Sequence, residues 1–176
     1  MYLTLGGVVI HDYNLELLRE VLETLDNGLV RLDRMAEQGA DPVEEGLIES
    51  REHLLGVGLA ACQRYLASTA AFVQLPKTEA LQYGPRHRSG ETLVALVNAG
   101  ANFWKHADEW AMPRHRSLQA FTLGTLSVLG VDHAEAPLDA VFRSLCLDPS
   151  PKLVALLPHL EAWRDELPRN VSLTPG

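Results

Sequence analysis

With 176 residues, 47% of them apolar, and a net charge of −8, the chain is long enough for one buried core and too short to expect two. The acidic balance argues against a general DNA-coating protein, and no apolar run approaches the ~20 residues that cross a bilayer. Residues 1–10 are apolar, but no positive residue precedes them and no small-residue cleavage signal follows, so they read as mature protein rather than a secretory leader. Cys62 and Cys146 lack metal-ligand spacing and sit among apolar neighbours, which predicts buried reduced thiols and a cytoplasmic location.

Taken in order, the chain opens on a short strand or extended arm containing Gly6-Gly7. From Asn14 the residues Leu15, Leu18, Leu22, Leu25, Leu29, Leu32 and Ala36 repeat at 3-4 spacing. That seam predicts a helix lying nearly parallel to a partner, closed by Gly39. A second helix is predicted from Pro42 to Leu75, roughly 50 Å long at 1.5 Å per residue. Its expected stripe is Leu47, Leu54, Gly58, Ala61, Tyr65, Ser68, Phe72 and Leu75, and its centre, Gly56 to Ala61, carries little bulk. The two helices read as a long antiparallel hairpin.

After an irregular stretch from Lys77 to Arg88, Ser89 is placed to cap a third helix running from Gly90 to about Ala111. Leu93, Val97, Gly100, Trp104, Ala107 and Ala111 define its core face; Asn98, Asn102, His106 and Glu109 fall opposite, with Lys105 beside them. A fourth helix, about Ser117 to Leu129, is nearly all apolar and reads as central. A short fifth spans Ala136 to Leu145, and a sixth spans Pro151 to Leu167, where Pro158 kinks or splits it. The expectation is one all-α helical bundle over residues 1–176, with about six helices built on the long hairpin.

Chemistry concentrates in the middle of the chain. Residues 1–84 carry a net charge of −7 and 118–176 a net −3, whereas 85–117 carry +2. An anionic ligand would approach there. The stripe Asn98, Asn102, His106, Glu109 has spacings that bring side chains together on a helix surface. A carboxylate one turn from an imidazole raises its basicity and fixes its tautomer, as acid–base chemistry requires. The plainer reading of the stripe is a solvated face. Two copies of Pro-Arg-His-Arg-Ser, at 85–89 and 113–117, offer the arginine forks Arg86, Arg88, Arg114 and Arg116 to phosphate or carboxylate. Their plainer role is pairing with the acidic first half. Trp110 and Phe103 could wall a pocket or a subunit contact, and Trp104 reads as core. His106 with Asp108 or Glu109, joined by His87, His115 or His133, is the best donor set for a metal-dependent hydrolase, although no helical metal signature is present.

The run Ala101-Asn102-Phe103-Trp104-Lys105-His106 resembles the signature of the HEPN superfamily, small all-α nucleotide-binding bundles, commonly dimeric, many of them ribonucleases of toxin–antitoxin and defence systems. The family signature is an arginine, a polar residue and, after a gap, a histidine. Asn102 and His106 match the last two, and Ala101 stands where the arginine would. The resemblance covers the hairpin and the third helix. It implies His106 as acid/base, Asn102 and Glu109 as orienting groups, and Lys105 with Arg88 as phosphate contacts. Loss of the arginine removes an electrostatic contribution of several kcal/mol to the transition state, so a binding relative is at least as well indicated as a metal-independent endoribonuclease. The expected partners are a second copy of the chain and RNA or a nucleotide, with no cofactor and no membrane. The rival is a non-catalytic helical interaction module.

Overall fold

The computed structural model describes residues 2–5, 8–109, 116–130, 136–146 and 152–168, and a helical bundle accounts for nearly all of them. A two-stranded antiparallel hairpin precedes it, β1 (Tyr2–Leu5) and β2 (Val8–His11), with Leu3 opposite Ile10. None of the described helices is long and apolar enough to cross a membrane.

Helix α1 (Tyr13–Glu37) begins at Asp12, whose Oδ1 accepts from the Leu15 N–H at 3.1 Å. Leu15, Leu18, Leu22, Leu29 and Leu32 are buried along the predicted seam. Gly39 ends the helix at φ +91°, where the Gly39 and Ala40 N–H groups donate to Ala36 and Met35. These two bonds satisfy carbonyls that the helix leaves open.

Helix α2 (Leu47–Phe72) is shorter than the sequence predicts. Asp41 Oδ1 accepts from both Val43 and Glu44, winding residues 42–46 into a separate turn, and Gly46 enters the helix with φ +62°. Gln74, at φ +58°, closes the far end, so the helix stops at Phe72, three residues short of the predicted Leu75. The single expected stripe is also too narrow. Leu55, Leu59, Cys62 and Leu66 are buried together with Gly58 and Tyr65, whereas Phe72 is half exposed. Neighbours cover α2 on several sides, α1 among them, so it is the second arm of the predicted hairpin and also the centre of the bundle.

Pro76 leads into α3 (Lys77–Ala80) and a folded loop. Thr92 Oγ1 donates to the Leu81 carbonyl at 2.5 Å, the Trp163 indole donates to Ala80, and Glu166 accepts from the Gly84 N–H. Thr92, not Ser89, caps α4 (Leu93–His106), because the loop's own hydrogen bonds hold Ser89 three residues outside it. All nine residues from Leu93 to Ala101 are buried. The predicted polar face therefore does not exist in the first half of α4, and Asn98 is 3% exposed. A 3-10 turn, Ala107–Glu109, follows; the rest of the predicted helix lies outside the described residues.

Helix α5 (Arg116–Ser127) is not central. It packs on α4 through Thr122 and Leu126 and leaves Phe121 60% exposed, forming an outer layer. Helix α6 (Pro137–Leu145) is anchored by Glu52, whose two carboxylate oxygens accept from the Leu138 and Asp139 N–H groups at 2.9 and 2.7 Å. Pro158 splits the last predicted helix as expected: a 3-10 turn (Leu153–Leu156) precedes α7 (Leu157–Glu166), with the proline in the first turn of α7. Asp26 on α1 accepts from the N–H groups of Leu153 and Val154. Asp12 also accepts from the Tyr65 hydroxyl and pairs with Arg164 at 2.9 Å, so one buried carboxylate joins α1, α2 and α7. Both cysteines are buried, and Cys62 is a free thiol.

Candidate ligand-binding site

The polar groups of α4 are organised by a residue on α2. Gln63 is 7% exposed and closes the apolar run that starts at Leu59. Its Oε1 accepts from Lys105 Nζ. A lysine ammonium can only donate, so this contact fixes which end of the amide faces which way. Gln63 Nε2 consequently faces the two asparagines of α4, donating to Asn98 Oδ1 and Asn102 Oδ1, each at 2.8 Å, with the Asn98 carbonyl at 3.3 Å. Both asparagines must present oxygen to Gln63. Their Nδ2 groups therefore point away from it, and neither makes a hydrogen bond among the described residues.

A cavity of about 530 Å³ is lined by Asn98 and Asn102, by Lys77 and Glu91, and by Leu81 and Phe121. Its size falls within the ~300–1,000 Å³ typical of small-molecule sites. Lys77 has no hydrogen bond or ion pair among the described residues. Its ammonium is held below the ordinary lysine range, first by burial and then by the nearby charge of Lys105; burial also lowers Lys105. The Lys77 ammonium and two amide NH₂ donors thus serve one concave surface with apolar walls, with Lys105 engaged by Gln63 behind them. Such a surface favours an anion, since Lys77 and the two amide NH₂ groups have no partner among the described residues until a ligand arrives.

The other expected site residues are dispersed. His106 Nδ1 stands 3.4 Å from Glu109 Oε2, the contact that the spacing predicts. His106 does not line the cavity that holds Asn102, so the two residues shared with the HEPN signature serve different surfaces. Arg86 closes its own loop, donating to the Gly90 carbonyl at 2.7 Å. Arg88 and His87 line a separate cavity with Ser144 and His159. Trp104 packs over Gly56 and meets His53 edge-on at 5.4 Å between ring centres. With Phe103 and Asp108 it borders a third cavity of about 500 Å³. Trp110, Arg114, His115 and His133 lie outside the described residues, as does the side chain of Arg116. Among the described residues no three His, Cys, Asp or Glu side chains gather as metal ligands.

Sequence reasoning passes over Gln63 and Lys77. Gln63 carries a usable signal, a lone amide at the end of an apolar helical run, where a buried polar group needs partners. Lys77 carries none beyond its place after Pro76. Compared with protein-family models, with curated proteins and with solved structures, the chain finds no match in any of the three.

Proposed function

We propose that this protein is a HEPN-like helical bundle that binds a nucleotide-class ligand in the cavity between α3, α4 and α5. One observation carries the reading: Lys105 orients Gln63, Gln63 orients Asn98 and Asn102, and both amide NH₂ groups are left beside Lys77 in a concave site. A phosphate would meet Lys77 and the amides. Phe121 offers a face on which a base can stack, and Glu91 accepts from ribose hydroxyls or an exocyclic amine.

Calorimetric titration with adenosine monophosphate, adenosine and inorganic phosphate tests this directly. The monophosphate binds at one site per chain, adenosine binds far more weakly, and Lys77→Ala weakens the monophosphate by about tenfold or more, the effect of losing a charge-assisted contact. Equal binding by that variant, or no binding of the monophosphate, refutes the proposal.

RNA turnover is the extended form of the same reading, with His106 as acid/base and Glu109 as its partner on one surface, and Asn102 with Lys105 holding phosphates of the same strand on the neighbouring one. The His106–Glu109 contact at 3.4 Å favours it. Incubation with a mixed RNA pool, with His106→Ala in parallel, decides: cleavage retained by the variant removes His106 from the chemistry.

We also infer self-association through α1. Tyr13, Leu17 and Val21 recur every four residues and are 68%, 59% and 43% exposed, an apolar line suited to a second copy. Sedimentation velocity on the protein and on Leu17→Glu checks it; a wild-type monomer at all concentrations refutes it.

A further inference from the structure

We propose that a second cavity, bounded by the loop 85–88, the start of α4, the end of α6 and α7, binds an amphipathic carboxylate whose head group is taken by Arg88. The cavity measures about 430 Å³. Its floor is apolar, made by the buried Leu93, Leu145 and Cys146, and its rim carries Ala155 with Arg86, His87, Arg88, Ser144 and His159, with no acidic residue among them. In a chain of net charge −8 that rim is a local reversal of sign, and it faces a predominantly apolar interior.

The rim groups differ in what they have left to give. The guanidinium of Arg86 donates to the carbonyls of Gly90 and Gln82, at 2.7 and 3.4 Å, and holds the loop in shape. The Ser89 N–H donates to His87 Nδ1 at 3.2 Å, which leaves the ring proton on Nε2, 3.4 Å from Ser144 Oγ. Burial pushes His159 below the ordinary histidine range, so it enters as a neutral ring. Arg88 makes no hydrogen bond or ion pair among the described residues. One open guanidinium fork with a neutral imidazole N–H nearby matches the two coplanar oxygens of a carboxylate. The floor has no polar side chain to receive a second charged end, and so the remainder of the ligand is apolar. This site shares no lining residue with the Lys77 cavity and does not rest on the nucleotide reading.

The probe is octanoate, followed by calorimetry and by the imidazole resonances of His87 and His159. Octanoate binds at one site per chain and shifts both resonances. The neutral methyl ester of octanoate, and octanoate with the Arg88→Ala variant, each bind about tenfold more weakly or worse, as expected for removing one member of a charge-assisted pair. Arg88→Lys recovers part of the affinity, keeping the charge but not the fork. Lys77→Ala leaves octanoate binding unchanged. Arg88 touches nothing that the fold depends on, so Arg88→Ala folds normally, and an unaltered unfolding midpoint verifies this. Equal affinity for the ester, undiminished binding by Arg88→Ala, loss caused by Lys77→Ala, or absence of saturable binding each overturns the proposal.

Discussion

Gly56 lies flush against the indole of Trp104: a Cβ at position 56 would overlap Cδ1, Cγ and Nε1 of that ring. The small centre of α2 thus serves a contact within this chain. A rigid indole cannot yield as a flexible side chain would. Gly56→Ala therefore costs about 1–3 kcal/mol through overpacking, despite the helix propensity that alanine adds. It also displaces Trp104 toward solvent. Thermal unfolding and tryptophan emission measure both effects, and a variant with unchanged midpoint and unchanged emission contradicts the packing.

Gln63→Glu inverts the polarity of the Lys77 cavity. A carboxylate at position 63 accepts from Lys105 as the amide does, but it has no donor for Asn98 and Asn102. Both side chains must rotate and turn their oxygens toward the cavity. Affinity for adenosine monophosphate falls by about tenfold or more, while the ion pair with Lys105 preserves the fold. Titration of the variant beside its unfolding curve separates these effects. Unchanged affinity would show that the amides do not reach the ligand.

Nucleotide binding weakens with rising pH earlier than an ordinary lysine would dictate. Lys77 is depressed by burial and by Lys105, so the free protein loses its ammonium below the usual 10.5. A bound phosphate favours the protonated form, and affinity is highest while Lys77 is charged. The decline sets in as pH rises through the depressed value. An affinity profile from neutral to alkaline pH checks it, and Lys77→Arg, which does not titrate in that range, flattens it.

Asp26→Ala removes the acceptor for the Leu153 and Val154 N–H groups, which stand 2.7 and 3.2 Å from its two oxygens. Two donors at the start of a buried turn lose their partner, a cost of about 2–4 kcal/mol. Asp26→Asn keeps one oxygen and loses less. Chemical denaturation of the three proteins should rank them in that order; equal midpoints would show that the cap is dispensable.

What could be read from the sequence follows from how many sides of an element are covered. Helix α1 is covered on one side, so burial writes a stripe, and Leu15 to Leu32 disclose it. Gly39 and Pro158 punctuate the chain through local geometry and are equally legible. Helix α4 is enclosed over nine residues, and a helical wheel then finds a polar side where none exists, misplacing Asn98. The apolar composition of α5 suggests a central position, yet Phe121 is exposed because, among the described elements, α5 packs mainly on α4. The His106–Glu109 contact is local and legible from its spacing. The Gln63–Asn98–Asn102–Lys105 relay is not, because it joins residues 35 to 42 positions apart, a separation that no periodicity encodes.

The two carboxylates of α1 also set the order in which the molecule can be completed. Asp12 finds Arg164 152 residues downstream, and Asp26 finds Leu153 127 residues downstream. On the ribosome α1 emerges early with both acids lacking these partners, and the charge of Asp12 opposes burial until Arg164 arrives. Contacts of such separation slow folding, since long loops must close before they are rewarded. Among the described helices α1 precedes the rest yet is finished last, and its burial reports that residues as far as Arg164 have been synthesised.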